Sequence, residues 1–249
     1  GVYRGMGRQL LESSIEVRQI LEDIDGLVLS LGGTSVLDAL RDEELDATEL
    51  AQPAIFALQV GLVTWFASHG IRPAAVVGHS VGELAAAWAC GALPLFEACH
   101  IVTMRAGVMA NLRGSGGMLA LAIAPDEVAA LGEPEVSVAA INGPSSCVLA
   151  GPLAALERVQ AEFASAGRFA RWVSTEYAFH SPAVTAASVR LRKFAGNVET
   201  EPAELPLYST VDGARRDAPL DLDYWVRNMC EPVRFAAAIE AVANDMDAV

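Results

Sequence analysis

Basic residues are scarce in this sequence: 17 lysines and arginines stand against 31 aspartates and glutamates, which gives a formal net charge of −14. A chain this acidic repels phosphate backbones and anionic lipid headgroups, so nucleic acid and membrane surfaces are not expected as partners. The sequence also lacks an unbroken apolar run of about 18 residues, the length of a membrane-spanning helix. It has no signal-peptide pattern either. These absences predict a cytoplasmic protein.

Cysteine and histidine are also sparse, with four of each in 249 residues. The cysteines are widely separated, form no C-x-x-C pair and have no histidine at zinc-ligand spacing, so no metal site is expected. Reduced and mostly buried thiols are the expected state of Cys90, Cys99, Cys147 and Cys230. The chain lacks an initiator methionine and stops without an ending signal, which predicts a segment of a longer protein.

The sequence does contain a serine framed by glycines, in the segment Gly78-His79-Ser80-Val81-Gly82. A short apolar run precedes it and an alanine-rich segment follows, which is the strand–turn–helix context of a G-x-S-x-G nucleophile elbow. Gly78 and Gly82 are expected to permit the sharp turn and to keep bulk away from the hydroxyl. The N–H groups at the start of the following helix would face an anion formed beside Ser80. Ser80 is therefore predicted to be a nucleophile.

A serine hydroxyl needs a base to remove its proton, and four histidines are candidates. His69 is expected to cap a helix C-terminus, His100 to be a core residue, and His79 to diverge from its neighbour in the turn. His180 follows the last strand of the middle region, where the chain crosses back past the groove, and is predicted to be the base. No carboxylate is well placed to orient it, since Glu176 is expected to face solvent, so a main-chain carbonyl or an amide is predicted to hold the imidazole.

Arg105 has two interpretations. It lies in a mostly apolar helical segment, 101–109, where an arginine can lie on the surface and cover apolar neighbours with its aliphatic stem. Alternatively, its guanidinium can bind a substrate carboxylate through two parallel hydrogen bonds, which only arginine offers. The sequence pattern leaves both interpretations open.

The order of predicted elements indicates an α/β protein in which one region is inserted into another. Residues 118–175 follow the order β-α-β-β-α-β of a ferredoxin-like unit, after a glycine-rich joint at 113–117. We predict an α/β-hydrolase-like large subdomain, 1–115 and 182–249, and a ferredoxin-like small subdomain, 116–181, with the active site in the groove between them. The predicted helices are 8–22, 35–40, 52–68, the elbow helix from near 81 to 90, 95–112, 125–131, 153–166, 182–196, 224–229 and 235–244, and the acidic stretch 42–49 is predicted to be an exposed loop. The predicted strands are 74–77, 118–123, 136–142, 146–150, 169–175 and 206–210.

Taken together, the segments around these residues resemble the acyltransferase domains of polyketide synthases and, more distantly, malonyl-CoA:acyl carrier protein transacylases. The resemblance runs through nearly the whole chain. The matching segments are Tyr3-Arg4-Gly5-Met6-Gly7-Arg8, Gln52 to Gln59, Gly78 to Glu83, Met104-Arg105, Asn142-Gly143-Pro144, Tyr177 to Pro182, Tyr224 to Asn228 and Pro232 to Phe235.

The resemblance implies a function for several residues. Ser80 would attack the thioester of an extender-unit CoA, with His180 as general base, and pass the acyl group to the phosphopantetheine thiol of an acyl carrier protein. Arg105 would hold the substrate carboxylate, the N–H of Val81 would supply an oxyanion donor, and Gln52 would line the acyl pocket. In the family, a main-chain carbonyl near the asparagine matched by Asn228 holds the histidine, so Asn228 is assigned to its orientation. No cofactor is implied, and a ketosynthase is an expected neighbouring domain.

Substrate choice is implied by Tyr177-Ala178-Phe179-His180. In the family, His-Ala-Phe-His accompanies malonyl and Tyr-Ala-Ser-His accompanies methylmalonyl, so this segment mixes the two patterns. Phe179 would fill the space of an α-methyl group, which favours malonyl and leaves methylmalonyl as the alternative. The family's Gly-Gln-Gly motif, which supplies a second oxyanion donor, would precede residue 3 and is absent from this chain, as is the usual segment after the closing helix. By this resemblance, the piece would lack one oxyanion donor that its parent protein would supply, which leaves open whether the piece alone is active.

Two other functions share some of these features. A serine hydrolase, such as an esterase or an editing acyl hydrolase, would use the same elbow and base but needs no carboxylate-binding arginine. A non-catalytic docking fragment would need neither. Tolerance of Arg105→Ala would indicate the hydrolase, and a lack of reaction with a serine-directed phosphonate would indicate the docking fragment.

Overall fold

The computed structural model describes residues 5–41, 45–194 and 196–246. Tyr3 and Arg4 of the first matching segment lie outside the described residues, as does part of the acidic stretch predicted as a loop over 42–49. In chain order the elements are α1 (Arg8–Ser13), α2 (Ile15–Ser30), α3 (Val36–Arg41), α4 (Thr48–Ser68), β1 (Val76–Val77), α5 (Gly82–Ala89), α6 (Leu95–Ala110), β2 (Gly117–Leu121), a 3₁₀ helix (Pro125–Leu131), β3 (Ser137–Gly143), β4 (Ser146–Gly151), α7 (Leu153–Ser165), β5 (Ala170–Trp172), α8 (Pro182–Phe194), β6 (Leu207–Ser209), β7 (Ala214–Arg215), α9 (Leu222–Cys230) and α10 (Phe235–Asp245).

The first sheet has three short strands in the order β1-β6-β7. β1 and β6 are parallel, with Val76 opposite Leu207 and Val77 opposite Tyr208, and β7 is antiparallel to β6. β7 was not predicted, since its two residues, Ala214 and Arg215, are exposed and carry no alternating apolar pattern. Helices α2, α4, α5 and α6 pack together beside this sheet, and α5 contacts β1 directly. The strand that leads into Ser80 is therefore held between a parallel neighbour and the helical layer.

The N-terminal region forms two helices where one was predicted over 8–22. The break is at Ser14, whose backbone is extended and whose hydroxyl accepts the N–H of Val17 at 3.3 Å. A serine in this conformation satisfies one of the unpaired donors of the first turn, which makes it a favourable helix start. The apolar spacing continues through this break, because Leu11 and Val17 on either side of Ser14 belong to the same core. Spacing therefore predicts a single helix here.

Helix α4 begins at Thr48, one turn before the predicted start at Gln52. Pro53 therefore lies inside the helix, where its missing N–H leaves one intrahelical hydrogen bond unmade. The prediction placed Pro53 in the first turn because proline is most favourable there. The surrounding residues explain the longer helix, since Gln52, Ala54 and Phe56 are all buried against neighbouring helices.

Among the described residues, α4 is also the helix that is long and apolar enough to cross a membrane by length and composition alone, with a mean hydropathy of 1.5. Helix α4 contains no unbroken apolar run of that length, because Glu49, Gln52 and Gln59 interrupt its apolar residues. Core helices have the same composition, and α4 packs against α2, α3, α5 and α6. The composition of α4 therefore does not by itself indicate a membrane protein.

The second sheet has four antiparallel strands in the order β3-β4-β2-β5. With α7 and the 3₁₀ helix between its strands, it follows the predicted ferredoxin-like order. The predicted α-helix over 125–131 is a 3₁₀ helix without buried residues, so it has no apolar face to stabilise a longer helix. One face of the sheet packs on α7 through a core of Leu119, Leu121, Ile123, Cys147, Leu149, Leu156, Val159 and Phe163.

Main-chain hydrogen bonds join the four-stranded sheet to the segment after α9. The N–H of Ile141 donates to Val233 O at 2.8 Å, and the N–H of Val233 donates to Ala139 O at 2.9 Å. These two hydrogen bonds pair the segment after α9 alongside the edge strand β3, as a parallel bridge. They hold the chain near Glu231 beside the sheet. The α/β class with two subdomains is confirmed, whereas the subdomain boundaries at 115/116 and 181/182 stay a prediction.

Candidate active site

The turn between β1 and α5 holds Ser80 in a left-handed conformation, with φ of 55°. A non-glycine residue seldom adopts such a φ, and the surrounding structure has to stabilise this strained backbone conformation. A Cβ on Gly78 would lie 2.3 Å from the main-chain nitrogen of Glu83, so only glycine fits there. At Gly82 the nearest atom would be Gln59 Nε2 at 3.3 Å, the end of a flexible side chain. The expectation that both glycines are sterically required therefore applies to Gly78 alone.

Ser80 and His180 form a hydrogen-bonded pair, with 2.8 Å between Oγ and Nε2. The other ring nitrogen, Nδ1, lies 2.8 Å from the main-chain oxygen of Glu231. Because a carbonyl oxygen can only accept, Nδ1 carries the hydrogen and Nε2 presents a lone pair to the serine hydroxyl. His180 itself has a left-handed backbone, with φ of 57°. This geometry is suited to removing the proton of Ser80.

The environment of His180 keeps its imidazole neutral. Burial lowers the pKa of His180 to about 3, and the nearby positive charge of Arg105 acts in the same direction. The hydrogen bond to Glu231 O opposes this shift, since it favours the protonated ring. At neutral pH the ring is therefore in the form that can accept a proton.

Arg105 lies on α6 and is buried, with 3% of its surface exposed. Its Nη2 donates to Ser80 Oγ at 2.9 Å, while Nε and Nη1 have no partner among the described residues. Burial lowers the pKa of Arg105 to about 10, and the negative charge of Glu83 opposes that shift, so the guanidinium is positive at neutral pH. This placement is incompatible with the interpretation of Arg105 as a surface arginine. It leaves buried donors beside the hydroxyl of Ser80, which an anionic group can satisfy.

The similarity to known proteins agrees with this geometry. A family model described as an acyl transferase domain matches residues 3–249. The chain belongs to the acyl transferase domain family. It is 38% identical over 250 residues to the polyketide synthase GfsB of Streptomyces halstedii and 37% identical to the erythronolide synthase EryA2 of Saccharopolyspora erythraea. The resemblance predicted from the sequence is thereby confirmed.

These relatives are far longer than the acyltransferase domain. The chain aligns over 96% of its own length with 4% of GfsB, and over 97% with 7% of EryA2. Among solved structures, a loading acyltransferase from the avermectin modular polyketide synthase matches with a TM-score of 0.92 and 33% identity. That match covers 98% of this chain and 80% of the other.

Behind the elbow of the acyltransferase domain, Glu83 forms a buried hydrogen-bond network that sequence analysis missed. Its side chain has 1% of its surface exposed. One oxygen accepts the N–H of Thr210 at 2.8 Å and contacts the Thr210 hydroxyl, and the other accepts from the Tyr224 hydroxyl. Burial raises the pKa of Glu83, and these hydrogen bonds oppose the rise. A charged residue on an otherwise alanine-rich helix was the signal available in the sequence.

Asn228 does not orient the histidine as assigned. Its Nδ2 donates to the main-chain oxygen of Ser80 at 3.2 Å, and the atom that holds His180 is the carbonyl of Glu231, three residues further on. Asn228 thus supports the strained turn, whereas the main chain after α9 supports the ring. The N–H of Val81 forms no hydrogen bond within the described part of the chain, as an oxyanion donor requires.

A cavity of about 220 Å³ opens beside Ser80. Its wall includes Phe179, whose ring stacks on that of Tyr177 at a centroid distance of 5.1 Å. Tyr177 and Gln52, both expected in the acyl pocket, are buried but do not line this cavity. Gln52 lies deeper, where its Nε2 donates to Thr48 Oγ1 at 2.7 Å. The cavity is lined by His79, Ser80, Met118, Ala140, Val148, Val173, Phe179 and His180.

The other histidines stand apart from the Ser80–His180 pair. His69 ends α4 and contacts Trp65 O at 2.8 Å, as expected of a capping residue. His79 diverges from Ser80 and bonds to Asn142 Oδ1 at 3.0 Å, across to β3. His100 is only half-buried, so its assignment to the core was wrong. Glu176 is exposed and pairs with Arg113.

The described residues contain no group of three or more His, Cys, Asp or Glu that could hold a metal ion. All four cysteines are free thiols; Cys90, Cys99 and Cys147 are buried and Cys230 is half-buried. Ser80, His180 and Arg105 are the polar side chains that hydrogen bonds bring together at the site.

Proposed function

We propose that this domain transfers a dicarboxylic acyl group of the malonyl type from CoA to Ser80, and then to the phosphopantetheine thiol of an acyl carrier protein. The observation that carries the proposal is the buried guanidinium of Arg105, which contacts Ser80 Oγ and leaves Nε and Nη1 without partners. A buried cation with unmet donors beside a nucleophile is matched by a substrate that brings its own carboxylate.

In the first half-reaction, His180 Nε2 takes the proton of Ser80 as Oγ bonds to the thioester carbonyl carbon. The tetrahedral oxyanion that forms is stabilised by the N–H of Val81 at the start of α5. Collapse of this intermediate breaks the C–S bond, and the proton on Nε2 passes to the leaving sulfur of CoA. The products are an acyl ester on Ser80, free CoA and a neutral His180.

The second half-reaction reverses these roles with another thiol. His180 removes the proton of the phosphopantetheine thiol, and the thiolate attacks the ester carbonyl on Ser80. The C–O bond breaks, and the proton on Nε2 returns to Oγ. No cofactor is required, because every proton is exchanged between the serine, the histidine and the two thiols.

The hydrogen bond from Nδ1 to Glu231 O supports both half-reactions. It fixes the ring so that Nε2 always faces Ser80, and its oxygen stabilises the imidazolium that forms in each step. The main-chain carbonyl of Glu231 thus orients the imidazole, as the carboxylate does in a catalytic triad. The low pKa of His180 also means that the ring returns its proton readily to the leaving group.

We further propose malonyl as the favoured acyl group, with methylmalonyl as the alternative. Phe179 lines the cavity beside Ser80, and the stacked ring of Tyr177 supports it from behind, so Phe179 has little room to move aside. Exclusion of one methyl group corresponds to about 1–3 kcal/mol, or a preference of roughly 10- to 200-fold. The carrier protein and a ketosynthase are proposed as partners because the chain covers only a small part of polyketide synthase relatives.

The proposal is tested by intact mass after brief incubation with malonyl-CoA, methylmalonyl-CoA or acetyl-CoA, with Ser80→Ala as the control. The expected result is one malonyl group per chain, absent from Ser80→Ala and not replaced by acetyl. Faster loading of methylmalonyl would overturn the assigned preference but keep the transferase. Loading followed by release of free malonate, without transfer to an added phosphopantetheine thiol, would indicate a hydrolase instead.

A further inference from the structure

One face of the four-stranded sheet packs on α7, whereas α10 contacts the sheet only at the edge strand β3 within the described residues. Leu119 and Trp172 point to the α7 side and belong to the core there. Because side chains alternate along a strand, Met118 and Ala120 on β2 and Arg171 on β5 belong to the opposite face. Met118 also lines the cavity beside Ser80, so this face continues the wall of the active site.

A row of residues crosses the whole of this face. Arg171 lies opposite Ala120, Ala120 lies opposite Val148, and Val148 lies opposite Ala140 on β3. Val148 and Ala140 line the cavity of Ser80, as does Val173, which directly follows β5. Ala140 is buried, Ala120 and Val148 are half-buried, and all three side chains are apolar, so the row can seat an extended chain between the cavity of Ser80 and the edge of the sheet.

Arg171 is exposed at the end of this row, and its side chain makes no hydrogen bond or ion pair within the described ranges. Other arginines of the same region are occupied: Arg158 pairs with Glu133, and Arg168 donates to Ala122 O and covers the Phe163 ring. In a chain with a net charge of −14, an unpaired cation at the end of an apolar row is complementary to an anionic ligand.

The length of the row matches the arm of the proposed substrate. Three strand spacings of about 4.8 Å separate β3 from β5, which gives roughly 14 Å. An extended pantetheine arm reaches about 15 Å from its sulfur to its phosphorus, if it advances like a peptide by about 3.5 Å for every three bonds. We propose that Arg171 binds the phosphate at the far end of the pantetheine arm, with Ala120 and Val148 beneath the arm, while the thioester reacts at Ser80.

This inference rests on the proposed function and adds a binding site to it. The phosphate is common to CoA and to the arm of a carrier protein, so Arg171 would serve both half-reactions. Its contribution would appear in substrate capture, because Arg171 lies too far from Ser80 to affect the bonds that form and break. The acyl group and its carboxylate remain with Arg105.

The test compares two donors that differ by one phosphate, malonyl-phosphopantetheine and malonyl-pantetheine. For the unsubstituted domain, the ratio of their kcat/KM values for acylation of Ser80 measures the advantage of the phosphate. Arg171→Ala should reduce that ratio about tenfold, through KM, because one charge-assisted contact is lost. Arg171→Lys should retain part of it, and kcat with malonyl-pantetheine should not change.

Arg190→Ala is the matched control, since Arg190 is exposed on α8 and its loss changes the net charge equally. An unchanged ratio in Arg171→Ala, or an equal fall in Arg190→Ala, would overturn the inference. Failure of the proposed function looks different, because neither donor would then acylate Ser80 in the unsubstituted domain.

Discussion

Glu83 and Arg105 are both buried ionisable residues beside the elbow, with 1% and 3% of their surface exposed, yet their partners differ. Glu83 lies behind the turn, and both of its oxygens accept hydrogen bonds from Thr210 or Tyr224. Arg105 lies in front, and two of its three nitrogens have no partner among the described residues. A buried polar group that is fully satisfied stabilises the fold, whereas one left open is arranged for a ligand. Under the proposed function, the two sides of the elbow therefore divide structural support from substrate binding.

The largest expected effect is that of His180→Ala on the front side. Removal of the general base should lower the rate of Ser80 acylation by malonyl-CoA about 10²- to 10⁴-fold, measured by rapid quenching and intact mass. His79→Ala is the control, because His79 also borders the cavity but bonds only to Asn142. An equal loss in both variants would contradict the assignment of the base.

Arg105→Ala should have the next largest effect, and it should act on activity without loss of stability. Removal of two charge-assisted hydrogen bonds, worth about 3–4 kcal/mol together at the lower end of their usual range, should lower kcat/KM for malonyl-CoA about 10²- to 10³-fold. The melting temperature should stay constant or rise, because a poorly partnered buried charge is removed. Arg105→Lys should recover little, since it lacks the planar fork. A large loss of stability would place Arg105 with the structural residues.

Glu83→Gln should show the opposite pattern, with stability affected more than activity. An amide N–H would face the donors of Thr210 or Tyr224, so the free energy of unfolding should fall by about 1–3 kcal/mol. Urea denaturation measures this change, and Tyr224→Phe is the milder matched variant. Unaltered stability together with a lost preference for malonyl over acetyl would show that Glu83 acts with Arg105 instead.

The last effect, small for each single pH unit, is a dependence of stability on pH. The pKa of His180 is lowered to about 3 in the folded chain, whereas an unfolded histidine titrates near 6.5. As the pH falls from about 6.5 towards 3, the unfolded state binds a proton that the folded state does not. Stability should therefore fall by at most roughly 1.4 kcal/mol per pH unit in that window.

Denaturation of the unsubstituted domain and of His180→Ala between pH 4.5 and 7.5 isolates this contribution, since the variant should lose the corresponding slope. The same low pKa predicts that kcat/KM for loading has no acid limb near pH 6.5. Such a limb, if observed, would show that the imidazole titrates normally.

Much of the fold was predictable because the signals are local. The order of elements over 118–175 follows from alternating apolar residues and turn glycines, and it gives the ferredoxin-like sheet correctly. Helix limits were less accurate: Thr48 rather than Gln52 begins α4, because burial of the first turn outweighs the preference for proline at a helix start. The 3₁₀ helix at Pro125–Leu131 was predicted as an α-helix, since spacing over seven residues does not separate the two.

The sequence alone determined the sharp turn at Ser80 and made this residue the candidate nucleophile, because a serine between glycines lies there after a short strand and before a helix. It also made His180 and Arg105 candidates through their residue types. Only the tertiary structure decided that Arg105 is buried with donors unmet, that Glu83 supports the turn, and that Asn228 holds the Ser80 carbonyl. The Glu231 oxygen that orients His180 belongs to the main chain, which every residue carries. Its role depends on where the chain passes in space, and no side chain marks it in the sequence.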